Sequence, residues 1–172
     1  MTSPRTFAAV ARRATALLTL ALALGACGPR VSSEGAGEPL PEFRLAAIAG
    51  GQLGSVDLAG KVVVYDFWAT WCGPCHLQAE ILHEMYPDHR GDGVEFVAIS
   101  VGEPEEIVRE FLAEKPYPYP VLVDPEDSMS VRLRILGLPT LIVTDREGRV
   151  VFRATGISDR RTIEKAIVRA GA

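Results

Sequence analysis

Residues 65–80 read YDFWATWCGPCHLQAE, and two of the three cysteines in the chain, Cys72 and Cys75, stand three positions apart within them. The stretch closes a continuous apolar run, KVVVYDFW at 61–68, rich in β-branched and aromatic residues. Such a run suits a central strand covered on both faces. Beyond it, Leu77, Ile81, Leu82, Met85 and Tyr86 recur at helical spacing, which predicts a helix from about 73 to 86 stopped by Pro87. His76, Glu80 and His83 are expected on its opposite side. The cysteines therefore fall where a strand turns into a helix.

That position carries chemistry. A sulfur at a helix start meets unpaired N–H groups and the positive dipole end, worth about 1 to 2 kcal/mol to a thiolate. At about 1.4 kcal/mol per pKa unit, a thiol moves from about 8.5 to near 7. A thiol with that pKa attacks disulfides well at neutral pH. Cys75, one turn deeper, is placed to attack Cys72 in return and free the substrate. Pro74 is tolerated in the first turn, where a backbone donor would be unpaired anyway.

Two other uses of the pair stand beside redox exchange. A purely structural disulfide would close a very small loop and constrain the unfolded chain little. Zinc has more to recommend it, since His76, His83 and His89 follow. Yet the gap from Cys75 to His83 is short of finger spacing and lies on one predicted helix.

The rest of the 172-residue chain sets the context. Arg5, Arg12 and Arg13 precede ATALLTLALALGA at 14–26, a run too short for the roughly 18 apolar residues of a spanning helix, so residues 1–26 read as a signal peptide. It ends in LGAC, which resembles a bacterial lipobox; by that resemblance Leu24, Gly25 and Ala26 precede cleavage and Cys27 becomes the lipidated N-terminus. This also accounts for the odd cysteine. Export places the cysteines outside the cytosol, where pairs tend to be oxidised. Formal net charge is −4, with no basic stripe, which argues against nucleic acid as a partner. Residues 27–42, rich in Gly, Pro, Ser and Glu, read as a flexible tether spanning at most about 50 Å.

The domain is expected over 43–172. Phe43, Leu45 and Ile48 lead through Gly50-Gly51 to Val56 and Leu58, an N-terminal hairpin. VEFVAIS at 94–100 reads as a second buried strand, and EPEEIVREFLAEKP at 103–116 as a helix with Pro104 at its start and acids at its positive end. YPVLVD at 119–124 follows as a strand, with the preceding YPYP its lead-in, and a helix opened by Asp127 or Ser128 comes next. TLIVTDREGRVVFRATG at 140–156 predicts a hairpin turning at Glu147-Gly148, and 158–172 a last helix with Ile163, Ala166, Ile167 and Ala170 inward. The fold class is α/β, a mixed central sheet with helices on both faces.

DFWATWCGPC closely resembles the active-site segment of thioredoxins, and residues 40–170 resemble the membrane-associated disulfide reductases of the TlpA/ResA type. The resemblance implies a thioredoxin-like fold in which 103–124 forms a central helix-strand insertion. It makes Cys72 the attacking and Cys75 the resolving cysteine of a redox-active disulfide. GLPT at 137–140 matches the family's second signature, which implies a cis peptide at Pro139 beside the disulfide and a substrate-pairing backbone at Leu138. Asp66 stands where thioredoxins carry an aspartate and TlpA-type proteins often carry asparagine. Buried there, it would have a raised pKa and take the proton of Cys75; the plainer alternative is an acid hydrogen-bonded at a strand end. Trp71 is expected exposed beside the disulfide as a substrate platform, Trp68 buried.

Departures bear on the assignment. Relatives serving cytochrome c maturation typically carry glutamate at the position of Gln78, and many have proline at that of Glu80. His76 replaces a commoner basic neighbour, and either favours the Cys72 thiolate or pairs with Glu80 at i, i+4 spacing. Taken together, the sequence points to a lipid-anchored, extracytoplasmic protein-disulfide oxidoreductase. It would work reductively on disulfide-bearing proteins, without metal or other cofactor, reset by a membrane electron donor. A disulfide oxidase or isomerase, or a metal-delivery lipoprotein, are the alternatives.

Overall fold

A computed structural model describes residues 30–31 and 37–171. Residues 1–26, read as a signal peptide, and Cys27, read as the lipidation site, lie outside the described residues. The strands are β1 (Arg30–Val31), β2 (Arg44–Ala47), β3 (Gln52–Gly54), β4 (Val62–Trp68), β5 (Val94–Val101), β6 (Val121–Asp124), β7 (Thr140–Thr144) and β8 (Val150–Thr155). The helices are α1 (Gly73–His89), α2 (Glu105–Glu114), α3 (Ser128–Arg132) and α4 (Arg160–Gly171), with a 3₁₀ turn at Ser55–Leu58.

The strands form one sheet in the order β1-β8-β7-β4-β5-β6-β2-β3. β4 is parallel to β5 and β5 to β6; every other pairing is antiparallel. This is the mixed α/β sheet expected, with the β2–β3 hairpin added at the free edge of β6.

All seven residues of β4 are buried, which explains why its sequence does not alternate. Strand geometry sends successive side chains to opposite faces. Val62, Val64 and Trp68 join a cluster with Leu82 and Met85 of α1, Val108 of α2 and Ile163, Ala166, Ile167 and Ala170 of α4. Val63, Tyr65 and Phe67 join the other cluster, with Leu58, Met129 of α3 and Leu133. Each fully buried Leu or Ile contributes about 1.5 to 3 kcal/mol. Asp66 falls in phase with Val64 and Trp68, so it is set among the first group.

Several local expectations are corrected. Pro87 does not end α1, which runs on to His89; proline removes one donor, and near a helix end the ladder survives its loss. The buried face of α1 is Cys75, Gln78, Ala79, Leu82 and Met85, while Leu77 is exposed. α3 is only one turn long; it opens at Asp127 and Ser128 as expected, but Asp127, its N-cap, makes no side-chain cap hydrogen bond. Asp124, at the end of β6, accepts from the Met129 and Ser130 N–H groups at 3.0 Å each and from both serine hydroxyls.

The segment read as a tether is partly built into the fold. Arg30 and Val31 pair with Thr155 and Ala154 of β8, and Leu40 N–H donates to Gly148 C=O at 2.8 Å. Gly37 N–H donates to Val150 C=O, and Val150 N–H to Glu38 C=O. An open strand edge offers such backbone partners whatever the side chains, so composition alone did not reveal this. Among the described residues, no helix is long and apolar enough to cross a membrane.

Candidate active site

The turn between β4 and α1 is tied down before the cysteines are reached. Thr70 N–H and hydroxyl donate to the two oxygens of the buried Glu103 carboxylate, the amide at 2.8 Å, and Ser100 hydroxyl donates to it at 2.9 Å. Thr70 C=O lies 2.9 Å from His76 Nε2, and the His76 ring stacks on Phe111 at 5.1 Å. His76 therefore braces the turn through Thr70 and Phe111 in place of the expected pairing with Glu80. Glu103 and Thr70 are the residues sequence reasoning missed. No motif marks them, because their partnership spans 33 positions and two elements.

Cys72 is the N-cap of α1, in extended backbone conformation, and Pro74 sits in the first turn. Cys75 N–H points at Cys72 Sγ, 3.3 Å away, so the helix end delivers a donor to that sulfur. The two cysteines are joined as a disulfide with Cα atoms 5.3 Å apart. Their exposures differ in kind: Cys72 keeps 5% of its surface and Cys75 none. Only Cys72 offers solvent an edge.

Trp71, beside it, is 73% exposed, and Trp68 is fully buried against Phe111 and Tyr117. The Leu138–Pro139 peptide is cis. Pro139 C=O accepts from Gly156 N–H at 2.8 Å, whereas the backbone N–H and C=O of Leu138 have no backbone partner among the described residues. The loop before it is held by Arg153, which donates to the carbonyls of Leu133 and Arg134, and by Thr140 hydroxyl donating to Gly137 C=O at 2.6 Å.

Asp66 is 1% exposed, and neither carboxylate oxygen has a hydrogen-bond partner among the described residues. It is therefore not an acid merely bonded at a strand end. Burial pushes its pKa from 3.8 up to about 7, since a charge stripped of water and unpaired favours its neutral form. A group near 7 both takes and gives protons readily at neutral pH.

The three histidines point to different places. His76 goes to Thr70, His83 packs edge-on against Tyr117 at 4.6 Å, and His89 pairs with Glu164 at 3.1 Å. Among the described residues, no three His, Cys, Asp or Glu side chains gather as a metal-binding group. Gln78 is fully buried and ties α1 to the start of the last helical segment: its Oε1 accepts from Ser158 N–H at 2.7 Å and its Nε2 donates to Ser158 C=O at 3.4 Å. A neutral amide serves both bonds, as a carboxylate could not.

Residues 35–169 match the family model described as Redoxin. The chain belongs to the Redoxin family. This redoxin is 33% identical over 129 residues to the thiol-disulfide oxidoreductase ResA of Geobacillus kaustophilus, covering 75% of this chain and 74% of that one. It is 33% identical over 120 residues to ResA of Bacillus subtilis, covering 70% and 67%. Among solved structures it is similar to a Chlorobium tepidum protein described as a thiol:disulfide interchange protein DsbE. There the TM-score is 0.74 at 30% identity, over 78% of this chain and 96% of that one. The fold is thioredoxin-like, and the protein is a thiol–disulfide oxidoreductase.

Proposed function

We propose that this redoxin is an extracytoplasmic reductase of protein disulfides, using Cys72 as nucleophile, Cys75 as resolving thiol and Asp66 as the base that serves Cys75. The observation that carries the reading is the asymmetry of the pair: one sulfur at a helix tip with an open edge, the other sealed on the face of the sheet that holds an unpaired carboxyl.

In the reduced protein, Cys72 thiolate attacks a client disulfide. The Cys72–client bond forms and the other client sulfur leaves with the electron pair, taking up a proton. Cys75 gives its proton to Asp66 and attacks Cys72. The Cys72–Cys75 bond forms, and the second client sulfur is released. The client gains two electrons and two protons; a dithiol donor at the membrane returns them to the oxidised pair. Trp71 and the unpaired Leu138 backbone, beside Pro139, supply an apolar platform and a strand-like edge for the client segment.

The reductive direction is supported by the Gly73-Pro74 dipeptide. It is shared with thioredoxin, whose potential lies about 150 mV below that of the oxidase DsbA, a gap of about 7 kcal/mol for two electrons. Export and anchoring through lipid on Cys27 follow from the LGAC segment. A Cys75→Ala variant tests the central claim: covalent adducts with disulfide-bearing clients should accumulate through Cys72 and disappear on adding dithiothreitol. Absence of adducts, or equal trapping by a Cys72→Ala variant, would overturn it.

A further inference from the structure

The face of β4 that holds Asp66 carries more unpaired polar atoms than a hydrophobic core tolerates. Both Asp66 oxygens, Trp68 Nε1, Tyr117 OH, Tyr119 OH and His83 Nε2 are buried without a hydrogen-bond partner among the described residues. Each such group costs about 1 to 3 kcal/mol if left unsatisfied. Their rings are mutually packed: Tyr117 lies 5.0 Å from Trp68, 5.6 Å from Tyr119 and 4.6 Å from His83, and His83 lies 5.4 Å from Tyr119. The Asp66 charge acts on both phenols. Tyr119 is buried, whereas His83 on α1 is only partly buried, with its Nε2 on the inner side.

We propose that Tyr119, Tyr117 and His83, hydrogen-bonded through water, form the path by which the proton Asp66 takes from Cys75 reaches solvent. The inference rests on Asp66 being the base for Cys75. An Asp66 that already holds a proton must lose it before it can take the one from Cys75, and Cys75, fully buried, offers no way out. The YPYP segment at 117–120 thus supplies more than a strand lead-in. Its two tyrosines line the way out, with the prolines fixing the backbone between them.

The chemistry of each group fits. Burial, and then the Asp66 charge, push both phenols above their ordinary pKa, so each stays neutral, with one hydrogen to donate and lone pairs to accept. Burial lowers His83, with Glu80 opposing, which keeps a ring nitrogen free to accept a proton. The Asp66 charge reaches the two tyrosines, and Cys75 of α1 lies in the hydrophobic cluster on the same face of the sheet. The titratable groups facing His83 are Glu80 on its own helix and the same tyrosines; Tyr86 adds a ring contact to Tyr119 at 5.5 Å. A water needs two to four polar partners to be held, and the unpaired atoms provide them. The three residues act through Asp66.

The test separates the two steps of one oxidation. Reduced full-length protein is mixed with 5,5′-dithiobis(2-nitrobenzoate) in a stopped-flow instrument. The first thionitrobenzoate reports attack by Cys72 and the second reports resolution by Cys75. A Tyr117→Phe/Tyr119→Phe variant, which loses only two hydroxyls, should slow the second release about tenfold at pH 7 and leave the first unchanged. In an Asp66→Asn background the same pair of changes should have no further effect, because residues acting on one step are not additive. His83→Gln should slow the second release, with recovery on adding imidazole. An unchanged second release in the tyrosine variant overturns the path. So does an equal loss that persists beside Asp66→Asn, which would mean that the hydroxyls merely pack against Cys75. If Asp66→Asn itself leaves the second release unchanged, the base assignment falls, and the path with it.

Discussion

Asp66→Asn in the oxidised protein is the perturbation whose size follows most directly from the structure. With Cys75 locked in the disulfide, Asp66 titrates without a coupled thiol, and burial alone raises its pKa to about 7. An unfolded aspartate titrates near 3.9. Below about pH 4 the group is protonated in both states and costs nothing. From about pH 4 to 7 the unfolded chain has lost the proton while the folded chain still holds it. The folded state then binds more protons, and stability falls as pH rises, by about 1.4 kcal/mol per unit. Over some three units the deficit reaches about 4 kcal/mol, and above pH 7 it stays constant. Asparagine carries no such linkage. Guanidinium unfolding of both proteins with the disulfide intact, followed by tryptophan fluorescence at pH 4 to 8, should show the variant gaining on the wild type across that window. The slope of the difference is the readout, so any fixed cost of placing asparagine there cancels. A constant offset at every pH would mean that Asp66 titrates alike in the folded and unfolded chains, and the argument for a desolvated base would fail.

Two further outcomes are expected. Trp71→Ala should leave the unfolding midpoint nearly unchanged, as an exposed side chain away from the core costs within about 0.5 kcal/mol. It should lower kcat/KM for a protein disulfide at least about fivefold, an aromatic anchor being worth about 1 kcal/mol or more, while turnover of a small disulfide is spared; equal losses on both substrates would refute the platform role. Glu103→Ala should cost about 2 to 4 kcal/mol in chemical denaturation, since it strips acceptors from Thr70 N–H, Thr70 hydroxyl and Ser100 hydroxyl. Glu103→Gln should recover most of that loss through its amide oxygen; a glutamine as damaging as alanine would contradict this account of the brace.

Much of this was legible in the order of residues, and the reason is that it is local. A β-branched run followed by cysteines and a helical repeat can form only a strand–turn–helix, and the N-cap position of Cys72 follows from that junction. The last hairpin and α4, with its inward Ile163, Ala166, Ile167 and Ala170, follow from turn chemistry and periodicity in the same way. Where the readings slipped, a distant partner intervened. Leu77 is helical but exposed, because the face of α1 that meets the sheet is set by Cys75, Ala79 and Leu82. α3 opens at Asp127 as expected, but its first amides donate to Asp124 at the end of β6. His76 turned to Thr70, and residues 30–31 and 37–40, which look like linker, found an open edge at β8 and its turn.

The sequence by itself therefore determined the cysteine pair and the helix that begins at it, because a helix start depends on residues within one turn. Only the tertiary structure decided what surrounds them: a buried carboxyl with no hydrogen-bond partner among the described residues, a brace from Glu103, and two tyrosines and a histidine packed on one another. Desolvation and polar satisfaction depend on every group within a few ångströms, and those groups come from β4, α1, the end of β5 and the segment before β6, which no local pattern connects.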